Sequence, residues 1–343
     1  MTSRVTIREV AKEAGVSIGT ASRALNRAGR VSEKAIVAVT KAARKLGYEP
    51  DGIAQSMRTR STGMVGLLVS DIANPLYARM ITAAEATFQA AGYALLLAST
   101  HNEKSREKSL IDLFRARRVD GMVLGPCESE SPEFIRQLGK SLPVVALDRE
   151  FDEQTTGIQV DHFTGTLQAT RHALNLGHRN IALFTPGGHL RTGVERIAGF
   201  HAAFKERGLT PLPHLIRTEK SSMNFVFSEA LSLLSHAERP TAFICLGTRI
   251  LAGVLQALRD SGLKIPTDAS VISIGDTDLA QLYSPPITAA TWDLEVVGTV
   301  AAELLLKQLD SGNKRERERV SISYQLNSRE SCGPARELES ATR

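Results

Sequence analysis

The sequence predicts an α/β protein in which a small all-helical N-terminal domain precedes a two-lobed body with parallel, doubly wound sheets. Three observations lead to this fold. The first 50 residues carry helical periodicity and helix-cap signals. From Gly63 onward, short apolar runs alternate with helical stretches. At 343 residues the chain is also too long for one ordinary domain.

A capping box marks the start of the first predicted helix. In the segment Thr6-Ile-Arg-Glu9, the Thr6 hydroxyl and the Glu9 carboxylate can satisfy unpaired backbone amides at the helix start. One apolar stripe follows at helical spacing, and Gly15 is expected to end the helix in a left-handed conformation. The stripe consists of Ile7, Val10, Ala11 and Ala14.

Two further helices complete a compact motif. Ser17 can cap a second helix from Ile18 to Asn26, after a turn of three or four residues. A third helix is expected to begin after Ser32 and to end at Gly47. Three short helices with a tight, Gly-containing turn between the first two form a helix-turn-helix, whose second helix fits the DNA major groove.

The basic residues are concentrated in this N-terminal region. Residues 1–60 hold 12 Lys and Arg against 5 Asp and Glu, whereas the remainder holds 30 against 32. A basic head on a neutral body is typical of a nucleic-acid-binding module joined to a second domain. From the charge alone, a solvated basic arm is the alternative.

Eight apolar runs in the body predict the strands of two sheets. They read MVGLLVSD, YALLLAST, GMVLG, PVVALD, GIQV, IALFTP, AFICLG and SVISIGD. Continuous apolar runs are typical of parallel strands that are buried on both faces. Ligands of open α/β sheets bind beyond the carboxyl ends of the strands, so the residues that follow each run are the candidate binding residues.

Several classes of protein are disfavoured. No apolar run reaches the roughly eighteen residues that a membrane span needs, and no apolar signal-peptide region opens the chain, so a cytoplasmic protein without a membrane partner is expected. The odd number and wide spacing of Cys127, Cys245 and Cys332 argue against a disulfide framework or a cysteine zinc site.

Catalytic motifs are also not found. The eight His residues show no HExxH spacing, Pro186-Gly187-Gly188 lacks the Gly-Lys-Ser/Thr ending of a phosphate loop, and no GxGxxG opens a helix after a strand. The expectation is therefore a protein that is not an enzyme and has no cofactor and no metal site.

Two N-terminal segments, VAKEAGVSIGTASRALN and VSEKAIVAVTKAARKLGYEPDGIAQSMR, closely resemble the signature of the lactose-repressor (LacI/GalR-type) family of bacterial transcription regulators. Body motifs such as SDIANPLY, RVDGMVLG and ALNLGHRNIALFTP resemble the same family and its relatives, the periplasmic sugar-binding proteins. The likeness covers roughly residues 5–331. It implies a dimeric repressor of a pseudo-palindromic DNA operator, controlled by a small sugar-like effector between two lobes.

The resemblance also implies domain boundaries. A helix-turn-helix domain with a hinge helix at about 51–58 would occupy residues 1–60, and the effector-binding and dimerisation domain residues 61–331. Residues 332–343 are expected to form a disordered tail, too poor in apolar positions for a tetramerising coiled coil. Chain crossovers near Asp161, Thr291 and Ser323 would place 62–161 and 292–322 in lobe one, and 162–291 and 323–331 in lobe two.

The family's base-reading positions match Ile18, Gly19 and Arg23. Arg23 can donate two bonds to guanine O6 and N7, with a phosphate contact as the alternative. In the hinge, Met57 stands where the family usually has a leucine that wedges into the minor groove. The complete predicted DNA-binding set is Thr6, Ser17, Ile18, Gly19, Thr20, Ser22, Arg23, Asn26, Met57 and Arg58.

The family's effector positions predict a ligand site in the cleft. Arg249 and Gly275 each stand where the family usually has a polar or acidic residue, and Arg196 is retained. The resemblance therefore implies a cleft that is more positive than the usual cleft of the family. A sugar acid, or less readily a sugar phosphate, is the predicted effector; the alternative is that Arg249 pairs with Asp148 or Asp276 and the effector is a neutral sugar. The predicted set is Tyr77, Asp148, Thr192, Arg196, Arg249 and Asp276.

Overall fold

The computed structural model describes residues 5–26, 30–48, 61–125, 127, 132–311 and 316–336. It divides into two compact units, Met1–Thr62 and Gly63–Arg343. The hinge helix predicted at about 51–58, including Met57 and Arg58, lies outside the described residues.

The described part of the first unit is a bundle of three helices. They are α1 (Ile7–Glu13), α2 (Ile18–Leu25) and α3 (Glu33–Leu46). The predicted caps are present: the Thr6 amide donates to the Glu9 carboxylate at 2.7 Å, and Ser17 Oγ accepts from the Thr20 amide at 3.1 Å. The second helix is one residue shorter than predicted, because Asn26 is its C-cap.

Small side chains form the core of this unit. Val10, Ala21 and Val39, one from each helix, are fully buried. Gly47 ends α3 with a left-handed φ of 64°, a conformation that favours glycine because it has no Cβ. Close packing of short helices through alanine and valine produces the helix-turn-helix that the periodicity predicted.

The described residues of lobe one contain one six-stranded sheet. Its strands are β1 (Met64–Val69), β2 (Ala94–Ser99), β3 (Gly121–Leu124), β4 (Val144–Leu147), β5 (Thr156–Val160) and β11 (Arg319–Ile322). They are all parallel, in the order β11-β5-β4-β3-β1-β2. The helices of this lobe are α4 (Pro75–Ala90), α5 (Lys104–Ala116), α6 (Pro132–Ser141) and α12 (Leu294–Ser311).

Lobe two repeats this plan within the described residues. Its strands are β6 (Ile181–Phe184), β7 (Ile216–Arg217), β8 (Ala242–Leu246), β9 (Ser270–Ile274), β10 (Thr288–Thr291) and β12 (Gln325–Asn327). They lie in the order β12-β10-β9-β8-β6-β7, with only β12 antiparallel to its neighbour. The helices are α7 (His162–Asn175), α8 (Arg191–Lys205), α9 (Met223–Leu234), α10 (Gly247–Asp260) and α11 (Asp278–Leu282).

The chain passes between the lobes at three places, after β5, after β10 and between β11 and β12. Two helix pairs pack through glycine at very short range. A Cβ on Gly298 of α12 would lie 2.1 Å from the Met80 carbonyl oxygen of α4, and one on Gly199 of α8 would lie 2.2 Å from the Phe163 carbonyl oxygen of α7. These helices can approach so closely only because no side chain stands at the contact.

The expectation of a disordered tail from residue 332 is wrong for residues 332–336. The Gly333 amide donates to Ser270 Oγ at 3.0 Å, and the Ala335 amide donates to the Leu176 carbonyl at 2.8 Å. The segment is ordered because its backbone groups find partners on lobe two. Residues 337–343 lie outside the described part of the chain.

No helix among the described residues is both long enough and apolar enough to cross a membrane.

Candidate functional site

One face of α2 is exposed and the other packs into the helical core. Ala21 and Ala24 are buried, whereas Ile18 is 48% exposed and Gly19 and Arg23 are also exposed. The exposed face of α2 therefore presents an apolar side chain and bare backbone in its first turn and a guanidinium in its last turn. This is the surface that a recognition helix offers to a major groove.

The polar residues of the predicted DNA-binding set have local partners. The Thr6 hydroxyl donates to Glu9 at 2.9 Å, the hydroxyls of Ser17 and Thr20 lie 2.9 Å apart, and Asn26 Nδ2 donates to the Ser22 carbonyl at 2.7 Å. In this conformation these groups organise the ends of the helices. Ile18, Gly19 and Arg23 are the members of the described set that lie within α2 and are exposed.

A cavity of about 340 Å³ lies between the two lobes of the body. It is lined by the residues that follow β1, β2, β4, β6, β8 and β10, in agreement with the rule that ligands bind at the carboxyl ends of parallel strands. Five of the six predicted effector residues line it, namely Tyr77, Asp148, Thr192, Arg196 and Arg249.

The sixth predicted residue, Asp276, does not line the cavity. Its carboxylate accepts two hydrogen bonds from the Arg329 guanidinium, at 2.9 and 2.6 Å. This bidentate ion pair turns the Asp276 side chain toward the C-terminal segment. The prediction that Asp276 lies in the cleft is therefore wrong.

Asp148 lies at the centre of a buried polar network. It has a left-handed φ of 50°, and its carboxylate accepts from Arg191 at 2.6 Å and contacts His162 Nε2 at 2.8 Å. Burial raises the pKa of Asp148, but the adjacent His162 and Arg191 outweigh burial and hold the pKa of this carboxyl below its ordinary value. Asp148 is therefore ionised and already paired.

His162 is a neutral member of this network. Burial, followed by the positive charge of Arg196, lowers the pKa of His162 to about 4. Its Nδ1 lies 2.7 Å from the Tyr324 hydroxyl and 3.0 Å from Arg196 Nη2, so we assign the ring proton to Nε2, which donates to Asp148. The neutral ring connects the charged groups without adding a charge.

Arg196 is buried at the cavity without a counter-ion. Its side chain is 6% exposed, its Nε has no hydrogen-bond partner, and no ion pair is found for it among the described residues. Its Nη2 contacts His162, but a buried guanidinium without a counter-ion is costly unless a ligand supplies further hydrogen-bond acceptors. Arg196 is therefore the group in the cleft that most needs a bound partner.

Arg249 does not add a free positive charge to the cleft. Its guanidinium donates to Asp71 Oδ2 at 2.7 Å and to the Ala73 carbonyl at 3.1 Å. The alternative interpretation expected Asp148 or Asp276 as the partner of Arg249. The observed partner is instead a carboxylate on the loop after β1. This ion pair connects lobe two to lobe one across the cleft.

Several cavity residues were not among the predicted site residues. Trp292 follows β10 at a crossover and packs edge-on to His162, with ring centroids 5.9 Å apart. His101 and Asn102 follow β2 and have left-handed φ values of 53° and 61°. The strand-end rule could have found all three, because each directly follows or closely follows a strand.

Comparisons with known proteins match both units. Residues 6–51 match the family model for bacterial regulatory proteins of the lacI family, and residues 170–332 match a periplasmic binding protein-like domain. The chain is 30% identical over 324 residues to the HTH-type transcriptional repressor PurR of Histophilus somni, covering 94% of this chain and 97% of the relative. It is 31% identical over 315 residues to PurR of Pectobacterium carotovorum, covering 91% and 92% of the two chains.

Solved structures show the same architecture. The lac repressor dimer bound to operator and the anti-inducer ONPF superposes with a TM-score of 0.83 at 24% identity, covering 96% of this chain and all of the other. That likeness supports the fold. A complex of the transcriptional regulator CelR with cellobiose superposes with a TM-score of 0.71 at 27% identity, with the same coverage.

Proposed function

The chain belongs to the lacI family of bacterial regulatory proteins and is a DNA-binding transcriptional repressor, and from that premise we propose that a small ligand in the interlobe cavity controls its affinity for an operator. The helix-turn-helix supports DNA binding, and the cavity at the strand ends supports a ligand site. Because it acts on DNA, we place the protein in the cytoplasm and assign it no catalytic role.

We propose that the ligand is a sugar acid, and the observation that carries this proposal is the guanidinium of Arg196, which is buried without an ion pair among the described residues. A carboxylate can accept two charge-assisted hydrogen bonds from one guanidinium. The other cations at the cleft are neutralised, Arg249 by Asp71 and Arg191 by Asp148. Arg191 also pairs with Glu195, so the charges around the cleft balance. Arg196 is the lining cation without a direct ion pair, in place of the pair of arginines that the sequence predicted.

The remaining lining groups suit a sugar ring. The hydroxyls of Ser70, Thr192 and Thr248 line the cavity, and Thr248 Oγ1 is buried without a hydrogen-bond partner. Trp292 and Leu76 add apolar surface. The wall thus combines polar groups with apolar surface, as small-molecule sites do.

A neutral sugar is the second candidate. The pairing of Arg249 with Asp71 favours it, because that ion pair removes one of the two positive charges on which the prediction of an acid depended. In that case Arg196 would hold ligand hydroxyls instead of a carboxylate. The CelR–cellobiose complex shows that a protein of this fold accommodates a neutral disaccharide.

Matched pairs of ligands distinguish the two candidates. The single tryptophan of the chain, Trp292, lines the cavity and reports binding through its fluorescence. We expect a hexuronate or hexonate to bind more tightly than the corresponding neutral hexose, and Arg196→Gln to remove most of this preference. Arg171→Gln is the control, since Arg171 pairs with Glu206 outside the cavity. A neutral sugar that binds more tightly than its acid, or an acid that binds Arg196→Gln equally well, would contradict the proposal.

We further propose that the repressor binds a pseudo-palindromic site as a homodimer. One helix-turn-helix offers a small interface, and a second head doubles the contacts. Large apolar side chains that could pack in a dimer interface are exposed on the body surface. They include Leu282, which is 84% exposed, and Leu97 on the edge strand β2. Light scattering should give twice the 37.1 kDa mass of one chain, and a tetramer mass would overturn this assembly.

A further inference from the structure

Two histidines and a glutamate converge on lobe two, away from the interlobe cavity. His214 lies in the short 3-10 turn Pro213–Leu215 before β7, and His236 follows α9. Their imidazole centroids are 4.6 Å apart and the rings are tilted by 40°. One ring nitrogen of each histidine and one carboxylate oxygen of Glu238 all lie within 4.8 Å of one another.

The hydrogen bonding of this group is incomplete. The Nε2 atom of His214 is buried and has no hydrogen-bond partner. His236 Nδ1 accepts only a long bond of 3.2 Å, from the backbone amide of Glu238. A buried ring nitrogen without a partner is costly, and an ion that uses its lone pair would remove this cost.

We propose that His214, His236 and Glu238 bind one divalent transition-metal ion, with Zn²⁺ the best fit. Two imidazoles and a carboxylate form a standard zinc donor set, and water would fill the remaining position. His236 and Glu238 are exposed, so their side chains can rotate to the bond lengths of about 2.0–2.2 Å that zinc requires. If His236 Nδ1 binds the ion, the hydrogen bond from the Glu238 amide to that nitrogen is lost and the bond to the metal replaces it.

The ion would fasten an edge of the lobe two sheet. It would connect the turn before β7 to the loop after α9, two segments that are 22 residues apart in sequence. The chain at the other end of β7 supports the cavity wall, because the carbonyls of Arg217 and Thr218 accept from the amides of Thr185 and Gly187, at 2.9 and 3.0 Å. Gly187 lines the cavity.

Metal titration of the full-length protein, purified without a histidine tag, tests the site. With ZnCl₂ in calorimetry, we expect one ion per chain, and with CoCl₂ the visible absorption of a His-coordinated ion. His236→Ala and Glu238→Gln should each weaken binding by about tenfold or more, whereas His201→Ala, which removes an exposed histidine of α8, should leave binding unchanged.

A melting series without metal shows that the variants fold. His236 and Glu238 are exposed, so their variants should melt as the wild type does in chelator. Zinc should then raise the melting temperature of the wild type and of His201→Ala only. Zinc binding that is equal in the wild type and His236→Ala, or no stoichiometric binding by the wild type, would overturn the site.

Discussion

At the scale of single residues, Arg23 is the residue of α2 for which we propose a base contact. Its side chain is exposed beside Ile18 and Gly19, and Gly19 offers no side chain for readout. We therefore propose Arg23 and Ile18 as the residues of this exposed face that read bases directly. An arginine at such a position reads guanine through two parallel hydrogen bonds.

Replacing Arg23 with alanine should cost about 1 to 3 kcal/mol of operator affinity and relax the preference at one base pair per half-site. Binding titrations on the operator and on single-base variants measure both effects. Arg44→Ala, which removes an exposed arginine of α3, should leave base preference unaltered. An equal loss on every sequence, with a shallower salt dependence, would assign Arg23 to a phosphate instead.

His162 makes stability depend on pH through its buried neutral ring. Its pKa is about 4 in the folded protein against an ordinary value of 6.5, so the unfolded chain takes up a proton first as the pH falls. Between pH 6.5 and 4, His162 should therefore reduce stability by up to about 1.4 kcal/mol per pH unit. Well above pH 6.5 the ring is neutral in both states, and its effect vanishes.

Denaturant unfolding of the wild type and His162→Gln at pH 7 and pH 5 measures this contribution. The burial of His172 and His178 lowers their pKa values as well, so the wild type retains other sources of pH dependence. The quantity to compare is therefore the change in the free energy of unfolding between pH 7 and pH 5. His162→Gln should lose less stability than the wild type over this range. An identical loss of stability in the two proteins would show that His162 does not remain neutral when buried.

At the scale of elements, two glycines in helices of lobe one have opposite roles. Gly298 of α12 faces the Met80 carbonyl of α4, and a Cβ there would lie 2.1 Å from that oxygen. Gly139 of α6 has nothing within 4 Å of an added Cβ. Gly298 therefore allows two helices to pack closely. Gly139 makes no such contact, and a residue with higher helix propensity could replace it.

Gly298→Ala should destabilise the protein by about 1 to 3 kcal/mol, because the backbones of α12 and α4 must separate. Gly139→Ala should instead stabilise it by about 0.5 to 1 kcal/mol through helix propensity. Urea unfolding of both variants compares them under one set of conditions. A Gly298→Ala protein as stable as the wild type would show that the helix pair adjusts freely.

At the scale of the whole molecule, ion pairs connect the lobes across the cleft. Arg249 of lobe two binds Asp71 of lobe one, and Arg191 of lobe two binds Asp148 of lobe one. The first pair is partly exposed, with the two side chains 40% and 29% accessible. Partly exposed pairs of this kind contribute about 0 to 1 kcal/mol, so this pair biases the cleft toward closure without locking it.

Arg249→Ala should therefore weaken ligand binding by no more than about fivefold, the equivalent of about 1 kcal/mol. Arg196→Gln should have a far larger effect, because it removes the buried cation itself. Trp292 fluorescence titrations of both variants with the same ligand make the comparison. A loss in Arg249→Ala as large as that in Arg196→Gln would place Arg249 in contact with the ligand.

The sequence by itself determined the elements whose signals are local. The capping box of Thr6 and Glu9, the Ser17 cap and the Gly47 helix end all act within four residues, and the apolar runs of the body became strands as predicted. The family resemblance likewise indicated Tyr77, Thr192 and Arg196 as cleft residues, and all three line the cavity. Local hydrogen bonds and burial periodicity do not depend on the remainder of the fold.

Only the tertiary structure decided which charged groups meet. Arg249 has its partner 178 residues away at Asp71, Asp276 has its partner at Arg329, and the ordered segment 332–336 depends on backbone groups of lobe two. His214 and His236 share no motif, and they come together because a turn and a loop pack at one sheet edge. Ion pairing depends on distances of a few ångströms between elements that are remote in sequence, and residue types alone do not contain those distances.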